Sequence, residues 1–233
     1  MNIMVYDNVV EGYFQQRPNR FIAHVKVQGR TVVAHVKNTG RCRELLIPGA
    51  TVYLEHNPHP GRKTDYSLIA VQKGNLLINM DSQAPNKVIE EALAAGWLPL
   101  NMKGRVTALR REYTWGDSRF DFGFFLEGKQ TLVEVKGVTL EEEGRALFPD
   151  APTQRGVKHL HHLIKAKQAG LEAAVVFLIQ MEKVTVFSPN DQTHPAFGEA
   201  LRQAVDCGVL VSAWSSKVTP DSIVLGGPVR VEL

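Results

Sequence analysis

Arg119-Phe120-Asp121-Phe122-Gly123-Phe124-Phe125-Leu126, a Glu127-Gly128-Lys129 turn, and Thr131-Leu132-Val133-Glu134-Val135-Lys136 form the stretch whose reading decides the fold. Both runs are rich in aromatic and β-branched residues, and the glycine-bearing turn between them predicts an antiparallel pair. Side chains two apart share one face of a strand. Phe120, Phe122 and Phe124 are therefore expected on one face and Asp121 with Gly123 on the other, while Glu134 and Lys136 point away from the layer that takes Val133 and Val135. Pairing through the turn converges Asp121 and Glu134 at one end of the sheet, beside Lys136.

Working outward, Val106 to Tyr113 reads as a preceding strand, with a turn at Trp115 to Ser118, which completes a three-stranded meander. Downstream, a loop through Pro149 and Pro152 leads into a helix from Gln154 to Ala169 and the continuous apolar strand Ala173 to Ile179. A helix at Ala196 to Cys207, a strand at Val209 to Trp214 and a terminal hairpin of Ile223 to Leu225 with Val229 to Val231 follow. Upstream, Ser82 and Pro85 introduce a helical pattern from Asn86 to Trp97, and the domain boundary is expected there, dividing the chain into residues 1–82 and 83–233.

Before that boundary the pattern is all β. Phe21 to Val27, Thr31 to Lys37, Leu45 to Ile47, Ala50 to Glu55, Tyr66 to Val71 and Leu76 to Asn79 are short runs, parted by Gln28-Gly29-Arg30, Asn38-Thr39-Gly40, Pro48-Gly49 and other turn residues. About five short strands of this kind suggest a small closed barrel such as an OB-fold, with a sandwich as the alternative. The expected fold class is α/β (α+β): an N-terminal OB-fold-like barrel followed by a mixed sheet flanked by helices.

The 233 residues are 44% hydrophobic and 22% charged, which excludes disordered and fibrous classes. The longest apolar runs fall short of the roughly 20 residues of a membrane span, and Asp7 and Glu11 sit where a basic, then apolar, leader would lie, so a cytoplasmic protein is expected. Cys42 and Cys207 are single and distant, which argues against a zinc cluster or disulfide framework and for buried thiols. Net charge is only +3, so the distribution matters more than the sum: Arg41, Arg43 and Arg62 fall in the barrel region.

Two converging carboxylates suit a hard cation such as Mg²⁺ (or Mn²⁺), which takes oxygen ligands and keeps several waters. Asp121 and Glu134 are the candidate metal ligands, and Lys136 is placed to orient an attacking water or to offset charge on a phosphate; the three are the candidate catalytic residues. A Glu-x-Lys triplet alone is weak, being most often a surface ladder; the strand-borne Asp121 strengthens it. The helix after Pro152 adds a second constellation. Thr153 is a plausible N-cap, and Arg155, Lys158, His159 and His162 share one face opposite Val157, Leu160 and Ile164, an arrangement suited to phosphate or, equally, to plain solvation. Asp150 is a secondary acid that caps or braces that helix, and Glu90 or Glu91 is the candidate third acid on the earlier helix.

These residues resemble the sugar fermentation stimulation protein A family along the whole chain. Arg20-Phe21 and Asn38-Thr39-Gly40 carry the early blocks, Arg119 with Asp121 and Glu134-Val135-Lys136 the middle, and Phe148-Pro149-Asp150-Ala151, Thr153, Arg155-Gly156 and Lys158-His159-Leu160 the third, most specific block. The resemblance implies an OB-fold joined to a PD-(D/E)XK nuclease-like domain, with Asp121 as the metal acid and Glu134 and Lys136 as its E-x-K element. It also implies non-specific DNA binding linked to regulation of sugar, especially maltose, metabolism. The sequence departs from the pattern at Phe120, where the superfamily name places proline, and at Lys37, where the family pattern has proline.

Two functions compete. One is a Mg²⁺-dependent nuclease whose barrel gathers the strand. The other is a DNA-binding regulator on a nuclease scaffold without turnover, holding phosphates through Arg155, Lys158, Arg41, Arg43 and Arg62. Retention of both acids and the lysine favours the first. DNA is the expected partner, single strands being what an OB-fold grips by stacking bases on exposed aromatics, for which Tyr53, Tyr66 and Phe21 are candidates. A small-molecule sensor finds no support, because no phosphate-cradling glycine loop is present.

Overall fold

Alternating burial organises the first eighty residues into strands. In this computed structural model, which describes residues 4–38, 40–61, 63–97, 99–100 and 104–233, β1 (Met4–Val5), β2 (Val9–Asn19), β3 (Ile22–Val27), β4 (Arg30–Val36), β5 (Thr51–His56), β6 (Tyr66–Lys73) and β7 (Leu76–Asn79) come first. The order β4-β3-β2-β5-β6-β7, with β4 also pairing to β6, closes β2 to β6 into a five-strand barrel and leaves β7 as an extension of β6. Barrel interior positions such as Ala23, Val25, Val52, Leu54 and Leu68 are fully buried.

Two expectations are corrected in this part. β2 was not legible, because its 11 residues bury only Gly12 and Phe14 and so carry little alternation. Leu45 to Ile47 is a turn rather than a strand: the Leu45 and Leu46 N–H groups donate to the Cys42 carbonyl, and the two leucines pack into the core. Of the Asn38-Thr39-Gly40 turn, Thr39 lies outside the described residues.

After Asp81 come α1 (Ala84–Ala94), β8 (Val106–Trp115), β9 (Ser118–Leu126), β10 (Lys129–Val138), β11 (Leu140–Glu142), β12 (Arg145–Phe148), α2 (Gln154–Gln168), β13 (Glu172–Ile179), β14 (Val186–Pro189), α3 (Pro195–Asp206), β15 (Leu210–Thr219) and β16 (Ser222–Val231). They form one mixed sheet, β11-β12-β14-β16-β15-β13-β10-β9-β8, in which the β8-β9-β10 meander is antiparallel and β10, β13 and β15 run parallel. β1 pairs with β16, so the start of the chain adds a strand to this second sheet. The expected C-terminal hairpin is a single strand, β16, whose register against β15 shifts between Trp214 and Ser216.

Helices cover both sheet faces. α1 packs with Phe122, Phe124, Val133, Val135 and Val176, while α2 and α3 pack with Leu132, Val175 and Phe177. Phe120 joins the α2-side core rather than the layer of Phe122 and Phe124. No described helix is long and apolar enough to cross a membrane.

A buried polar cluster joins barrel to sheet. Lys37 Nζ lies 3.1 Å from Asp81 Oδ2, and Asp81 Oδ1 accepts from the Gln83 amide at 2.9 Å, holding the start of α1. Gln180, following β13, donates to Asn79 Oδ1 at 2.9 Å and to the Asp81 carbonyl at 3.0 Å.

Candidate functional site

β9 and β10 pair with Val133 opposite Phe122, and continuing that register sets Glu134 beside Asp121. Asp121 is held from two sides: its Oδ2 accepts from the Val135 backbone N–H at 2.7 Å and its Oδ1 from Asn86 Nδ2 of α1 at 2.7 Å. Burial, and then the charge of Glu134, push the Asp121 carboxyl above the usual carboxylate range.

Glu134 is more deeply set, with its side chain 4% exposed. Its Oε1 receives Lys136 Nζ at 2.5 Å and His159 Nδ1 of α2. Burial pushes this carboxyl up, but His159 and Lys136 together outweigh it and hold the group below its ordinary value. Glu134 Oε2 is buried with no hydrogen-bond partner. A buried carboxylate oxygen without a donor is costly, and one facing a second carboxylate more so.

α2 supplies the cationic side of the site. Thr153 is the N-cap, its hydroxyl accepting from the Gly156 amide at 3.1 Å. Arg155 Nε donates to His159 Nε2 at 3.2 Å, which assigns the ring proton to Nδ1 and makes His159 a donor to Glu134. That bond leaves both terminal nitrogens of the exposed Arg155 for phosphate oxygens.

The other expected residues are placed as follows. Lys158 faces away from His159, with His161, Lys165 and Gln203 around it. His162 is buried and bonded to Ser118, so it leaves the cationic face that its spacing suggested. The α1 residue that reaches Asp121 is Asn86, whereas Glu90 pairs with Arg111 at 3.2 Å and Glu91 is half-buried on the helix. Arg41 and Arg43 are exposed on the barrel loop, and Arg62 lies outside the described residues. Tyr53 and Tyr66 pack against the core, whereas Phe21 is 45% exposed. Cys42 is fully buried, its thiol pushed up to about 12 chiefly by burial, and Cys207 is half-buried.

Asn86, and the bond by which His159 reaches Glu134, are what residue-type reasoning missed. Each residue meets its acid across a sequence separation of 35 or 25 residues, and neither contact belongs to the strand pattern that exposed Asp121 and Glu134. Asp150 does not cap α2; its carboxylate faces the backbone N–H groups of Arg41 and Cys42 on the barrel.

An OB-type barrel joined to a helix-flanked mixed sheet, with an acid pair and a lysine on two adjacent strands, defines a two-part protein of the OB-plus-nuclease-like class. Residues 16–80 match the SfsA N-terminal OB domain, and residues 83–222 match the sugar fermentation stimulation protein RE domain. The chain belongs to the sugar fermentation stimulation protein family. It is 54% identical to a sugar fermentation stimulation protein homolog of Desulfitobacterium hafniense over 99% of both chains. A homolog from Clostridium beijerinckii is 50% identical over 94% of this chain and 96% of its own. The solved structure of Pyrococcus furiosus SfsA in complex with Ca²⁺ superposes with a TM-score of 0.88 at 30% identity, covering 100% of each chain.

Proposed function

We propose that the protein is a divalent-metal-dependent nuclease that binds DNA without sequence preference. The observation that carries this reading is the buried, unpartnered Glu134 Oε2 beside an Asp121 whose carboxyl is raised by burial and then by the Glu134 charge. Two desolvated carboxylates in register create a demand for positive charge that Lys136 and His159 meet on Oε1 alone. Among the described residues, no three His, Cys, Asp or Glu side chains are grouped as a ready-made metal cluster; the two carboxylates are the ligands proposed for a cation such as Mg²⁺, which takes one or two carboxylates and keeps its waters. The Ca²⁺ bound by the Pyrococcus furiosus relative is of the same oxygen-seeking kind.

Asp121 and Glu134 would hold that cation, which when bound polarises a phosphate oxygen and lowers the pKa of water. Lys136, 15% exposed, keeps its ammonium at the mouth of the site, where it orients the attacking water and offsets charge gathering on the phosphorus oxygens. Asn86 and the Val135 amide fix the Asp121 carboxylate, and His159 fixes that of Glu134. Arg155, with the first turn of α2 behind it, draws a phosphate towards the acids. An influence on sugar, including maltose, utilisation would follow from this action on nucleic acid.

The test incubates the purified protein with end-labelled single- and double-stranded DNA and RNA, in Mg²⁺ or Mn²⁺ against chelator, beside Glu134→Ala and Lys136→Ala. Metal-dependent cleavage absent from both variants is the expected result. Salt-sensitive binding without cleavage, unchanged in the variants, overturns it in favour of a DNA-binding protein on a nuclease scaffold.

A further inference from the structure

The carboxylate site leaves unused a set of groups on the barrel. Arg20, Arg41 and Arg43 are exposed, and among the described residues none of them is in an ion pair. Phe21 is 45% exposed with the Arg20 guanidinium 4.7 Å from its ring centroid, the pairing that offers a nucleic-acid base both a stacking surface and a cation.

These groups line neighbouring hollows that share wall residues. Phe21 and Lys63 border one that includes Asn19. Asn19 also borders the next, about 400 Å³, with Arg20, Arg41 and Arg43. Gly40 is common to that hollow and to a third of about 280 Å³, whose walls include Gly137 and Thr153. Gly137 follows Lys136 on β10, and Thr153 caps the helix that carries Arg155 and His159, so the third hollow is walled by the two elements that also carry Lys136 and His159.

Gly40 and Asp150 make the joint. A Cβ at position 40 would lie 2.1 Å from Asp150 Oδ2, so only glycine admits this approach. Asp150 faces the Arg41 and Cys42 amides. From the barrel side, Arg17 donates to the carbonyls of Arg20, Asn38, Gly40 and Arg41 at 2.7–3.1 Å. The loop bearing Arg41 and Arg43 is thereby fixed to the segment that leads into α2.

We propose that the hollows form one track for a single nucleic-acid strand, which stacks on Phe21, passes Arg41 and Arg43 and crosses the Gly40–Asp150 joint to reach Glu134. A duplex keeps its bases stacked inside and offers an aromatic platform nothing, whereas a single strand presents both bases and phosphates. The proposal rests on the reading of the acid site as a phosphodiester site. It adds that the barrel holds the strand on which that site acts.

The test measures fluorescence-anisotropy affinity in chelator for single-stranded DNA of about 4 and about 20 nucleotides, spanning the site sizes of such barrels, and for a duplex of the longer sequence. Wild-type protein binds the long strand at least about tenfold more tightly than the short strand or the duplex. The Arg41→Ala/Arg43→Ala double variant, which changes only exposed side chains, loses about tenfold on the long strand, and its salt slope shrinks by about 1.4. Phe21→Ala loses about tenfold on the long strand only. Gly40→Ala, and Asp150→Ala as the variant that leaves Gly40 intact, abolish the length preference while short-strand affinity stays unchanged. Equal affinity for short and long strands, or for strand and duplex, overturns the track, as does an unaltered long-strand affinity in the arginine and phenylalanine variants. Cleavage of the short strand in Mg²⁺ is followed in parallel. Length preference without cleavage keeps the track and removes the nuclease reading; cleavage without length preference does the reverse.

Discussion

Two buried polar clusters lie close together in this molecule, and they differ in one respect. At the junction, Asp81 has Lys37 and the Gln83 amide, Asn79 has Tyr6 and Gln180, and all the carboxylate and amide oxygens named are engaged. At the end of β9 and β10, Glu134 leaves one oxygen buried without a partner. A satisfied cluster is a complete structure that holds barrel and sheet in register; an incomplete one carries a standing cost that a ligand relieves. The difference assigns stability to the first and chemistry to the second.

The sharpest way to break that division is to remove one acid from each cluster. Lys136→Ala and Glu134→Ala are expected to lower metal-dependent cleavage by about 100- to 1000-fold, the scale set by loss of one charge-stabilising group, and Glu134→Ala to lose less stability than the junction variant, because it removes the unpartnered Oε2 together with the partner of Lys136. Asp81→Ala is expected to do the opposite, lowering unfolding free energy by about 3 kcal/mol because the half-buried Lys37 loses the nearer of its two carboxylates and the Gln83 N–H loses its acceptor, while folded protein cleaves at the wild-type rate. Denaturant titration and single-turnover cleavage on the same preparations separate the two. Equal losses of stability in both variants would erase the distinction.

A smaller effect sharpens it. His159→Ala and Asn86→Ala remove groups that orient the two acids without replacing either, and should weaken Mn²⁺ binding by about 10- to 100-fold, read by calorimetric titration. Unchanged affinity would reduce both contacts to packing.

The smallest effect concerns the joint between barrel and sheet. Burial raises both Glu44 and Asp150, and each leaves an oxygen unpartnered. An acid raised in the folded state binds protons there that the unfolded chain has already released, so ionising it opposes folding. These two acids therefore add stability as pH falls from neutrality towards the ordinary carboxylate range, against His162, which burial lowers and which loses stability there, so Glu44→Gln should gain less than wild type over that interval. Parallel wild-type and Glu44→Gln profiles in chemical denaturation would contradict this.

Much of this arrangement was legible from residue order. The alternation at Phe120 to Phe124 and at Val133 to Lys136 announced the meander and the two acids, because a strand face is a local property with a period of two. α2 was legible from Thr153 and its helical spacing. β2 was hidden by its polar surface, and Gly226-Gly227-Pro228 suggested a turn inside a continuous strand. His162 shows the limit of spacing alone: the helical period puts it on the cationic face, whereas the structure buries it against Ser118. Asn86, His159 and the Asp150 contact with the barrel are long-range, and nothing within one element predicts which partner a side chain will find.

The most direct measurement is electron paramagnetic resonance titration of Mn²⁺ into wild-type protein, Glu134→Gln and Asp81→Asn. The account predicts one bound ion in wild type, its loss in Glu134→Gln and its retention in Asp81→Asn. Undiminished binding in Glu134→Gln would contradict the claim that the unpartnered oxygen is there for a metal.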